Sequence, residues 1–165
     1  MILLGRTMRV KHLSLGLLFA AAIQSYYCAD ITKLSAEDRR VLQDSSRFHE
    51  VHATTNLPSA IVALCADDGR LAEPGQNWQA TDVITDPTLP GKRLIWAAVG
   101  DVYYVVHYER GGIAHTFHIL VAKLGKNDAK PTMVWRAVGG WLKDYAAFVD
   151  TLRSGKLDDR LDYPY

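Results

Sequence analysis

The chain has 165 residues, 48% of them hydrophobic and 22% charged, which is ordinary globular composition and enough for one domain with a core. Its 19 Lys and Arg nearly balance 18 Asp and Glu, and no basic patch stands out. That balance argues against nucleic acid as a partner and against electrostatic attachment to anionic lipid.

The first 29 residues read as a secretory signal. Arg6, Arg9 and Lys11 precede an apolar run of 11 residues, Leu13 to Ile23, and no acidic residue occurs before Asp30. A membrane-spanning helix needs about 20 such residues, so a basic flank followed by a short apolar stretch fits a cleaved leader better. Cleavage is expected between about Ala22 and Ala29, which leaves no transmembrane span in the mature chain and a balance of 16 basic against 18 acidic residues. Ser25, Tyr26 and Tyr27 before Cys28 do not resemble the small-residue box of a lipoprotein. The expected location is periplasmic or secreted. If Cys28 stays on the mature chain, an oxidising compartment allows a disulfide with Cys65; if it leaves, Cys65 is a lone thiol in an apolar helix.

From residue 30 to 165 a single domain is expected. Ser35 followed by Asp38 is a helix start, with Val41 and Leu42 on its apolar face, and Ser46 begins a second turn toward Phe48. Pro58 suits the first turn of a helix over Ser59 to Ala66, ended by Asp68-Gly69. From Trp78 the period becomes two, predicting strands near Trp78–Ile84, Arg93–Val99, Val102–Arg110, Ile113–Leu124 and Thr132–Val138. Gly100-Asp101 and Gly111-Gly112 suit two-residue hairpins. A last helix runs from Trp141 to about Arg153 and stops at Gly155. N-terminal helices, an antiparallel meander of about five strands and a C-terminal helix packed on the sheet make an α+β fold, with helices against one sheet face.

A two-residue turn at Gly111-Gly112 pairs Arg110 with Ile113 and Tyr108 with His115. One face then carries Tyr104, Val106, Tyr108, His115, Phe117, Ile119 and Val121, and reads as core. The other carries Tyr103, Val105, His107, Glu109, Thr116 and His118, joined by Leu94, Trp96 and Ala98 from the preceding strand. His107, Glu109, Thr116 and His118, beside Trp96 and Tyr103, are the candidate ligand-binding residues. Two imidazoles and a carboxylate side by side could bind a divalent metal, act as an acid–base pair, line a ligand pocket or stabilise a solvated sheet face, and the last reading is the simplest.

Other motifs are weaker. His49-Glu50-Val51-His52 is one residue short of the H-E-x-x-H zinc spacing, and Asp67-Asp68-Gly69 lacks the downstream ligands of a calcium loop. No G-x-S-x-G elbow, phosphate loop or dinucleotide fingerprint occurs, and no metal or cofactor is expected. The resulting expectation is a small exported binding or envelope-accessory protein, taking a small molecule or protein partner on one sheet face. The alternative is a small hydrolase or lyase using the His/Glu cluster.

Overall fold

A computed structural model describes residues 31–66 and 68–160. The leader, Cys28 and Asp67 lie outside the described residues. Three α-helices, α1 (Ala36–Gln43), α2 (Ser59–Cys65) and α3 (Tyr145–Ser154), accompany five strands: β1 (His49–Val51), β2 (Lys92–Val99), β3 (Tyr103–Arg110), β4 (Thr116–Lys123) and β5 (Thr132–Gly139). The strands form one antiparallel meander in the order β1-β2-β3-β4-β5, so the fold is α+β. Among the described residues, no helix is long and apolar enough to cross a membrane.

Local chemistry explains the element ends. Ser35 caps α1 by accepting from the Asp38 amide at 3.0 Å, Asp144 caps α3 by accepting from Ala147, and Gly155 closes α3 in the left-handed region at φ 68°. The helix expected from Trp141 therefore begins four residues later, and Trp141 stands exposed before it. The strand expected over Trp78–Ile84 is a loop, and its place in the sheet goes to the short β1. The free edge of β2 is occupied by β1 at Ala97–Val99 and by Ala72 beside Arg93, so the alternating residues of Trp78–Ile84 find no strand to pair with.

Both sheet faces are covered, not one. α1 and α3 bury the face bearing Trp96, Ala98, Val105, Ile119, Val121 and Trp135, through Leu42, Tyr145, Phe148, Val149 and Leu152. α2 packs Ile61 and Cys65 on the opposite face against Leu94, Ala97, Val106, Tyr108, Leu120 and Ala122. Cys65 is fully buried, its Sγ 3.4 Å from the Ile61 carbonyl, and burial pushes its thiol up to about 12.

Two polar clasps tie the layers together. Asp159, nearly inaccessible, accepts from the Thr32 amide and hydroxyl at 2.8 Å each, the Lys33 amide at 2.6 Å and the Trp135 indole at 3.0 Å. Burial alone would raise its carboxyl, but these donors prevail and hold it down at about 2. Across the α1 face, the Tyr103 hydroxyl donates to Asp38 at 2.6 Å and Lys123 pairs with the same oxygen at 2.8 Å. Tyr103, expected to line a ligand site, is thus part of an interlayer clasp.

Candidate functional site

The β3–β4 connection decides how the candidate residues are arranged. The strands pair Arg110 with Thr116, Tyr108 with His118 and His107 with Ile119, leaving a five-residue turn from Gly111 to His115. That register differs by three from the one a two-residue hairpin gives, and an odd shift turns every β4 side chain over. His118 and Thr116 therefore share a face with Tyr108 and Arg110, while His107 and Glu109 share the opposite face with Phe117 and Ile119. The expected juxtaposition of His107, Glu109 and His118 does not occur. Leu94 also changes sides, because a bulge between Leu94 and Trp96 places it opposite Tyr108 while Trp96 lies opposite His107.

His107 is only 1% exposed, and both ring nitrogens serve the fold. Nδ1 lies 2.9 Å from the His118 carbonyl, which can only accept, so Nδ1 carries the proton and the bare Nε2 accepts from the Leu142 amide at 3.1 Å. Trp96 donates to the Leu142 carbonyl at 2.8 Å, so the two side chains hold both backbone groups of Leu142 in the segment leading into α3. Burial lowers His107 to about 4 against the opposing pull of the His118 carbonyl and Glu109, and it stays neutral at physiological pH.

On the other face, His118 stacks on Tyr108 at 5.2 Å and 10° between planes, and its Nε2 lies 2.8 Å from the Thr116 hydroxyl. Burial first, then the positive charges of Lys92, Arg110 and Arg136, hold it at about 4.

Glu109 belongs to a different cluster from the one expected. It is buried, its Oε1 2.6 Å from Arg93 Nε and its Oε2 2.6 Å from His115 Nε2. The Trp78 ring lies 5.2 Å from the Arg93 guanidinium and 5.5 Å from His115, and Phe117 lies 4.9 Å from His115 on another side. His115, half exposed, is thus oriented by a buried carboxylate and framed by aromatics, an arrangement able to move a proton or to present a charged edge to a partner. The short-turn register assigned His115 to the core; the five-residue turn, with Ile113 95% exposed at its tip, puts it beside Glu109 instead.

The same end of the sheet gathers exposed apolar side chains. β2 begins there, β3 ends there, β4 begins there and β5 ends there, so the 78–91 loop, the 111–115 turn and the segment after Gly139 all lie at that end. The loop is fastened by the Gln79 amide to the Pro90 carbonyl at 2.8 Å and by the Gly112 amide to the Ala80 carbonyl at 3.4 Å. Of the six exposed large hydrophobic residues among the described ones, Val83, Ile84, Ile113 and Trp141 stand here, whereas Val102 and Met133 lie toward the opposite end. Four open depressions of about 160–360 Å³ lie among the described residues, and one of about 210 Å³ is lined by the turn.

His49 and His52 do not converge with Glu50 into a metal site: Glu50 meets His52 at 2.9 Å and accepts from the Tyr145 amide at 2.7 Å, at the start of α3. Among the described residues, no group of three or more His, Cys, Asp or Glu side chains is placed to hold a metal ion. Comparison with protein-family models, with curated proteins and with solved structures gave no match.

Proposed function

We propose that this chain is an exported, non-catalytic recognition protein that takes a protein partner on the β3–β4 end of its sheet. The observation carrying this reading is the gathering of Val83, Ile84, Ile113 and Trp141 at one end. Isolated exposed apolar residues are normal, but a group of them rimmed by polar side chains is a feature of partner-binding surfaces. The rim here comprises Arg93, Arg110 and the His115–Glu109 pair, so a partner segment with apolar side chains beside a carboxylate matches both the surface and its charge. An end-on surface also suits a sheet whose two faces are occupied by its own helices. Export rests on the leader sequence.

A photoreactive residue placed at Ile113 or Trp141 in producing cells should give a discrete protein adduct, absent when the probe is at Met133. Ile84→Asp should abolish the adduct without changing the melting temperature by more than a few degrees. Equal labelling at all three positions, or labelling insensitive to Ile84→Asp, would refute a specific surface. Mass spectrometry of the mature N-terminus tests export separately, with an intact leader as the adverse result.

A further inference from the structure

We infer that the cavity beneath the β3–β4 turn binds a small oxyanion, a carboxylate or a phosphate group, through Arg110, Thr116 and the backbone of the turn. The cavity, about 210 Å³, is lined by Arg110, Gly111, Gly112, Ile113, Ala114 and Thr116. At roughly 30 Å³ for each water, that volume accommodates a single anionic group together with several waters. Arg110 and Thr116 are direct cross-strand partners, so a guanidinium and a hydroxyl stand on the same face at the cavity's edge. Arg110 forms no ion pair with any described residue, which leaves its planar fork for a bidentate acceptor. Within the turn, the amides of Ile113 and Ala114 donate to no described acceptor, and Gly112 sits at φ 130°, a backbone conformation that L side chains rarely adopt.

The surroundings favour negative charge. Lys92 lies directly across from Arg110 on β2, and Arg136 on β5 is the partner of Leu120, two residues along the same face from His118. The positive charges of Lys92, Arg110 and Arg136 help keep His118 neutral, after the larger effect of burial. The Thr116 hydroxyl lies 2.8 Å from His118 Nε2, and with the imidazole proton on Nε2 the hydroxyl accepts there and keeps its own proton for an anion. The arrangement thus supplies a guanidinium, a hydroxyl and two amides without a nearby carboxylate among the cavity-lining residues.

This site stands on its own side chains and does not need the protein-partner reading, although a partner's carboxylate would satisfy both. The test is amide chemical-shift titration of the whole chain with inorganic phosphate, with acetate, and with chloride at matched ionic strength. Saturable shifts at Ile113, Ala114 and Thr116 with phosphate or acetate and not chloride are expected, and the tighter of the two identifies the source. Arg110→Gln and, independently, Thr116→Val should each weaken binding about ten-fold or more while leaving the remaining spectrum in place; Arg110→Lys should recover part of it. Linear shifts shared with chloride, or saturation unchanged in both variants, would mean an adventitious ion only. If anion binding fails while cross-linking at Ile113 persists, this site is lost and the partner surface stands.

Discussion

His107 shows how a polar side chain becomes part of a core. Its imidazole has one donor and one acceptor when neutral, and the fold supplies one carbonyl and one amide to match, so burial costs little. Protonation would leave Nε2 facing an N–H with no acceptor. His107 and His118 both titrate near 4 in the folded chain, against 6.5 for free imidazole. Below pH 6.5 the unfolded chain therefore binds protons that the folded chain refuses, and stability falls as pH drops from 6.5 toward 4. The loss is on the order of 3 kcal/mol per histidine, seen as a urea midpoint that declines over that window, and below it the depressed carboxyls of Asp38 and Asp159 continue the decline. A flat midpoint from pH 7 to 4 would be inconsistent with buried neutral imidazoles. His107→Ala should cost about 2–4 kcal/mol at pH 7, because it takes the acceptor from the Leu142 amide, removes the imidazole donor to the His118 carbonyl and leaves a void beside Trp96. His115→Ala, at a half-exposed ion pair, should cost no more than about 1 kcal/mol.

At the scale of elements, the turn at Gly111 is the decisive join. A Cβ on Gly111 would fall 2.2 Å from the Gln79 carbonyl oxygen and within 2.7 Å of the Ala80 backbone, and neither neighbour can swing aside as a flexible side chain would. Gly111→Ala should therefore undock the 78–84 segment. Limited proteolysis should cut within that segment in the variant far faster than in the parent, with the β2–β5 sheet remaining intact; equal cutting rates would show that the loop is not held there. The same join explains what the sequence makes legible. The β2–β3 turn pairs Val99 with Tyr104, two residues away in register from a Gly100-Asp101 hairpin, and an even shift preserves faces. Trp96, Ala98, Val105 and His107 accordingly fall together as alternation implies. The β3–β4 shift is odd, and β4 offers no warning, because Phe117, Ile119 and Val121 are as apolar as Leu120 and Ala122. A strand covered on both sides loses the polar–apolar contrast that fixes register. Helix caps were readable at Ser35 and Gly155 because capping is local chemistry, whereas the Trp78–Ile84 pattern is strand-like until one knows that the sheet edge is occupied.

For the molecule as a whole, Asp159 is the widest-reaching contact. Its carboxylate joins Thr32 and Lys33, at the start of the described chain, to Trp135 on β5, and the neighbouring Asp158 exchanges both backbone hydrogen bonds with Val138. Asp159→Asn keeps the shape but replaces an oxygen acceptor with an amide donor facing other donors. It should lower stability by about 2–4 kcal/mol at pH 7, measured by denaturant titration, and the difference from the parent should shrink as pH falls through about 2.

This carboxylate also sets a timetable for assembly. Thr32 precedes Asp159 by 127 positions, so the segment at Thr32 has no resting place until residue 159 has emerged from whatever machinery delivers it. Nascent chains stalled short of residue 159 should remain sensitive to protease near Thr32, and release of a few more residues should close that window in one step.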